Sequence, residues 1–173
     1  MPDLEPKIET YDGTDGYRLH YRHWVPADTP RGRVVLLHGI QSHSGWYLHS
    51  SSRICEAGFE VFYLDRRGSG LNVEKRGHID NFQILLYDLV LFLSRVRIEE
   101  PRRPVILLGV SWGGKVATAM AKEHPQLMEA LGLLCPGLFP VIDPPWYQKV
   151  RIALARVYYR YRHFPIPLTV PEL

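Results

Sequence analysis

The segment Gly109-Val110-Ser111-Trp112-Gly113-Gly114 lies between an unbroken apolar run, Pro104 to Val110, and a stretch of helical period that opens at Trp112. A serine that leaves a sheet on so sharp a turn is held in a strained backbone conformation, and side chains two places to either side would collide. Gly109 and Gly113 remove those collisions. The turn sends the Ser111 hydroxyl out at the carboxyl end of the sheet, where open α/β folds bind ligands, and leaves the Trp112 N–H free at a helix start. A hydroxyl with an amide N–H beside it suits addition to a carbonyl, the N–H meeting the oxyanion that forms.

A second segment, His38-Gly39-Ile40, ends the first long apolar run and leads into Gln41-Ser42-His43-Ser44-Gly45-Trp46-Tyr47. With the serine on a neighbouring strand, this loop lies beside it and offers the Ile40 N–H as a second oxyanion donor. His38 reads equally well as a loop-ordering residue. Gly109 to Lys115 also satisfies the first seven positions of a phosphate-binding loop, G-x-x-x-x-G-K, which would make the chain a nucleotide binder. That pattern fails at its eighth position, where Val116 replaces the magnesium-holding hydroxyl, and Trp112 stands where backbone amides should wrap a phosphate. A plain glycine-rich turn is the bland reading.

The elements that must position these residues are legible in hydrophobic period. Residues 7–26 alternate around the turn-forming DGTDG, which predicts two antiparallel strands ending at Pro26. The runs RVVLLHG, FEVFYLD and PVILLGV suit strands buried on both faces, hence a parallel sheet covered by helices. In NFQILLYDLVLFLSRV, Phe82, Leu85, Leu86, Leu89, Phe92, Leu93 and Val96 recur at threes and fours, with Asp80 or Asn81 as the cap. Trp112 to Glu123 reads as a helix stopped by His124-Pro125, and EALGLLCPG as a further strand. The order is a hairpin followed by β-α-β-α-β-α-β, a mostly parallel α/β sheet with right-handed crossovers.

After Pro136 proline thickens, and one helix is expected, with Tyr147, Val150, Leu154, Val157, Tyr158 and Tyr161 on one side and Lys149, Arg156, Arg160 and His163 on the other. The expected division is 1–136 for the core and 137–173 for a separate element. Of the net charge of +3, residues 145–173 carry +4, leaving −1 on the remainder. A nearly neutral body argues against a nucleic-acid-binding module. The acidic N-terminus without an apolar stretch is no secretory signal, and no apolar run reaches the length of a spanning helix, so a cytoplasmic location is expected. Cys55 and Cys135 are expected to be two reduced thiols in the core.

Together the motifs resemble the α/β-hydrolase superfamily, and within it the monoacylglycerol lipase and lysophospholipase group, which is related to serine aminopeptidases. HGIQSHSGWY resembles that group's oxyanion loop, LDRRGSGLN the loop after the next strand, RGHIDNFQILLYDL the run into the following helix, and the segment from Pro136 the start of its cap. The sequence departs from the group at Gln41 and Ser42. The resemblance implies Ser111 as nucleophile, the N–H groups of Ile40 and Trp112 as oxyanion hole, Gly109 and Gly113 as elbow backbone, and no metal or cofactor. It also implies a small acyl ester substrate, with the helix beyond Pro145 sheltering an acyl chain. The basic side of that helix reads as an ordinary solvated face, with peripheral contact to an anionic lipid surface as the functional alternative.

In such a fold the acid and histidine of the triad follow the serine on later strands. The strand ending Leu134-Cys135-Pro136-Gly137 brings no carboxylate, so the chain is expected to be an N-terminal portion whose fold is incomplete at the C-terminus. None of the eight histidines suits the role of base: His124 follows Ser111 by thirteen residues on the same helix, about 20 Å away at 1.5 Å per residue. Asp65 ends a strand and is expected to serve a structural turn. The rival expectation from another class is a nonenzymatic or inactive short form.

Overall fold

In the computed structural model, residues 3–138 and 145–158 are described, and the chain divides into two compact units, residues 1–138 and 139–173. The first unit is built on six strands: β1 (Lys7–Asp12), β2 (Arg18–Trp24), β3 (Arg33–Leu37), β4 (Glu60–Leu64), β5 (Val105–Val110) and β6 (Ala130–Leu134). Their spatial order is β1-β2-β4-β3-β5-β6. β1 and β2 form the expected antiparallel hairpin, β2 pairs antiparallel with β4, and β4, β3, β5 and β6 run parallel.

Helices α1 (Leu48–Glu56), α2 (Phe82–Glu99) and α3 (Trp112–Glu123) cover the sheet, and the two-residue period of the strands sorts its faces. Val35, Phe62, Leu64, Val105 and Leu107 pack with α2 and α3 side chains, among them Phe92, Leu93 and Met120. Val34, Leu36, Val61 and Tyr63 point the other way and pack with Cys55 and Ile54 of α1. Each large side chain buried in this way contributes roughly 1.5–3 kcal/mol. On the α1 side Ile106 and Leu108 are only half-buried, and β6, the outer strand, has no fully buried residue.

α2 starts where its cap was expected: the Asn81 side chain accepts from the Gln83 N–H at 3.0 Å. Two expectations need correction. Phe82, counted with the core stripe, is exposed and stands edge-on to the Trp112 ring, with centroids 6.3 Å apart. It lies in the first turn of α2, short of the cover that the sheet gives Leu85 and Leu86. Cys135 is not a core thiol. It is exposed at a positive φ of 46°, just beyond the ladder of the outer strand, where no further element packs on it among the described residues. Cys55 is buried as expected, and burial pushes its thiol pKa up.

In the second unit the expected helix forms as α4 (Trp146–Tyr158), with Val150, Leu154 and Val157 exposed. Arg160, Tyr161 and His163, assigned to the two sides of that helix, lie outside the described residues. No helix among the described residues is long and apolar enough to cross a membrane.

The fold positions a site by a simple topological rule. From the central β3 the chain goes to β4 on one side and later to β5 on the other, so the loops leaving β3 and β5 diverge around a crevice at the carboxyl ends of these strands.

Candidate active site

Ser111 occupies the turn from β5 to α3 with φ 52° and ψ −117°, a region that non-glycine residues avoid. The conformation is held from several directions. The Ser111 N–H donates to the Leu134 carbonyl at 2.9 Å, and its own carbonyl accepts from the Gly114 N–H at 2.9 Å. The glycines on either side are required by close approach: a Cβ on Gly109 would lie 2.7 Å from the Gly113 carbonyl oxygen, and one on Gly113 would lie 2.5 Å from the Leu37 oxygen and 2.7 Å from the His38 oxygen. The Ser111 residue is exposed. Because the turn closes on itself and onto β3 through these carbonyl oxygens, it is the opposite of the amide-lined cradle that a phosphate loop presents.

The loop after β3 runs directly past this serine. A Cβ on Gly39 would come within 3.3 Å of Ser111 Cβ and 3.7 Å of its Oγ. Ile40 follows and is 64% exposed, while Trp112 is half-buried beside Arg66. Among the described residues, neither the Ile40 nor the Trp112 N–H donates to a protein acceptor. Two amide N–H groups without protein acceptors, one in the loop beside Ser111 and one on the residue after it, are the parts that an oxyanion intermediate needs.

The histidines sort themselves by their contacts. His38 is 3% exposed; its Nε2 accepts from the Arg66 N–H at 3.2 Å, which assigns the proton to Nδ1, 2.9 Å from the Gly39 carbonyl oxygen it donates to and 3.1 Å from Arg66 Nη1, a second donor to that oxygen. Burial, reinforced by the Arg66 charge, lowers its pKa to about 4. Both ring nitrogens are thus engaged in ordering the loop, and His38 is no base for Ser111. His43 caps the 3-10 turn Ser44–Tyr47 by accepting from the Gly45 N–H at 3.1 Å, its ring 5.3 Å from that of Trp46.

Asp65 is structural, as expected from the sequence. Its fully buried carboxylate accepts from the Ser44 N–H at 2.7 Å and the Leu71 N–H at 3.0 Å and pairs with Arg22 at 3.6 Å, tying the loop after β3 to the loop after β4. The loop after β4 is anchored again by Arg67, whose guanidinium bridges Asp88 of α2 at 2.6 Å and Asp15 of the hairpin turn at 2.7 Å. Those two carboxylates raise the Arg67 pKa, opposed by burial, and hydrogen bonding to Arg67 brings that of Asp15 down to about 2. Arg66 is the residue that the motifs did not single out. It donates to the Gly39 carbonyl at 2.7 Å and lies over the Trp112 ring, 5.0 Å from its centroid. Among the described residues no His/Cys/Asp/Glu group is arranged to hold a metal ion.

The chain has relatives among known proteins. The family model described as serine aminopeptidase, S33, matches residues 28–167. A monoacylglycerol lipase of Mycolicibacterium smegmatis is 34% identical over 129 residues, covering 75% of this chain and 46% of that protein. A monoglyceride lipase of Rattus norvegicus is 31% identical over 122 residues, covering 70% of this chain and 40% of that protein. Among solved structures, a soluble variant of the Saccharomyces cerevisiae monoglyceride lipase with a substrate analogue superposes with a TM-score of 0.71 at 22% identity, over 91% of this chain and 52% of that one. A thermostable carboxyl esterase from Bacillus coagulans gives a TM-score of 0.69 at 23% identity, over 91% and 51%. The chain therefore spans about half or less of the length of these relatives. On the match of the family model and the shared sheet, the chain belongs to the serine aminopeptidase S33 family of α/β-hydrolases.

Proposed function

We propose that the protein of which this chain forms part hydrolyses carboxylic esters with apolar acyl groups, of the monoacylglycerol or lysophospholipid type, through an acyl-enzyme. Ser111 Oγ adds to the ester carbonyl, its proton passing to a histidine supplied from outside these residues. The N–H groups of Ile40 and Trp112 receive the oxyanion. Collapse expels the alcohol, and water repeats the addition to release the acid.

The observation that carries this reading is the placement of Ser111: an exposed residue on a turn strained to φ 52°, so close to the loop after β3 that a Cβ on Gly39 would touch it. Ester chemistry, rather than another acyl transfer, is supported by the relatives named for lipase and esterase action. Residues 137–173 are proposed to begin the cap element of this family, to which α4 contributes exposed apolar residues. The test is hydrolysis of a monoacylglycerol by the full-length protein. Release of free fatty acid that is lost in Ser111→Ala is expected; undiminished release in that variant would contradict the assignment.

A further inference from the structure

We infer that Arg66 is a positioning residue of the oxyanion site, acting through the Gly39–Ile40 peptide; the inference rests on the acyl-transfer reading of Ser111. Gly39 C=O and Ile40 N–H are opposite ends of one planar amide, so whatever fixes the oxygen fixes the direction of the N–H. Two donors converge on that oxygen: Arg66 Nη1 at 2.7 Å and His38 Nδ1 at 2.9 Å. The first is charged. A guanidinium bonded to an amide oxygen draws electron density from the amide nitrogen and strengthens its N–H as a donor.

The same guanidinium reaches the second half of the site, because it lies over the ring of Trp112, whose N–H is the other proposed donor. Arg66 also differs from its neighbours in what it is spared. Arg22, Arg33 and Arg67 each pair with a carboxylate, Asp65, Glu60 and Asp88 respectively, whereas none pairs with Arg66 among the described residues. Its half-buried charge thus has no carboxylate at ion-pair distance; burial lowers its pKa, and the neighbouring Asp65 carboxylate, which is shared with Arg22, opposes that only in part. A neutral ester carbonyl gains little from that charge; an oxyanion gains much more. The effect belongs to the transition state, so it should fall on kcat rather than KM.

The experiment uses the full-length protein, with p-nitrophenyl butyrate as substrate and an alkyl trifluoromethyl ketone as an inhibitor whose serine adduct carries the oxyanion. Arg66→Met is expected to lower kcat about tenfold, as loss of a charged hydrogen bond implies. KM should stay within about twofold, and the ketone should bind weaker by about the same factor as the fall in kcat. Arg66→Lys should recover most of both. A folded Arg66→Met enzyme with unchanged kcat and ketone affinity, or with a loss confined to KM, overturns the inference, as does a Lys variant no better than Met. Should the Met variant fail to melt cooperatively, Arg66→Gln keeps a donor to Gly39 without the charge: a fall in kcat of about threefold or more supports the role, and no fall overturns it. Hydrolysis that survives Ser111→Ala removes the nucleophile reading and this inference with it. Ser111-dependent hydrolysis that ignores Arg66 removes this inference alone.

Discussion

Gly39 and Ser111 approach so closely that a methyl group on the first would stand 3.3 Å from Cβ of the second. Gly39 shows no positive φ, so alanine is tolerated by its backbone and the cost is steric alone. The strained serine cannot retreat, being held by its bonds to Leu134 and Gly114. Gly39→Ala is therefore expected to fold with a stability within about 1 kcal/mol of the parent while Ser111 reacts about tenfold more slowly with an organophosphorus probe. Urea unfolding and labelling rate, measured side by side, check the two halves of this expectation.

Gly113→Ala should behave differently. Its Cβ would press on two backbone carbonyl oxygens, at 2.5 and 2.7 Å, and neither is the end of a flexible side chain. Either β3 or the turn must move. We expect about 3 kcal/mol of destabilisation together with loss of probe reactivity. Thermal and denaturant unfolding measure the first; a variant of parental stability would mean that the turn is looser than its geometry implies.

The contrast shows which features could be read from the sequence. The elbow was legible because its demands are local: two glycines at fixed offsets from Ser111, a strand before and a helix after. The Asn81 cap and the alternating strands were legible for the same reason. Arg66 was not. Its partners His38 and Gly39 are 28 and 27 residues away, and only the parallel register of β3 against β4 brings them together. Phe82 and Cys135 were misread because a hydrophobic pattern reports the face of an element, whereas burial also depends on what lies beyond its ends. The 3-10 turn Ser44–Tyr47 went unseen because it is too short to establish a period.

The Arg67 bridge offers a stability test away from the serine. The Arg67 and Asp88 side chains are 8% and 6% exposed, so removing the cation leaves a buried carboxylate uncompensated. Arg67→Met should cost about 3 kcal/mol in denaturant unfolding. The double variant Arg67→Met, Asp88→Leu should regain much of the loss, since the orphaned charge leaves with its partner.

His38 gives a pH signature with a definite sign. Its folded pKa, about 4, lies below the ordinary value of 6.5, so between those limits the unfolded chain binds more protons. The stability associated with neutral His38 is fully present above pH 6.5 and is lost as pH falls toward 4, by up to about 3 kcal/mol. His38→Gln, which keeps a donor and an acceptor without titrating, should flatten that part of the profile. Equal slopes in the two proteins between pH 5 and about 6.5 would contradict the buried neutral histidine.

The central claim is that the Ser111 oxygen is the group that attacks. The full-length protein should be treated with a fluorophosphonate, digested, and the modified residue located by mass spectrometry. One adduct on the peptide containing Ser111, absent from Ser111→Ala, is the expected result; an adduct on another residue, or labelling that persists in the alanine variant, would contradict it.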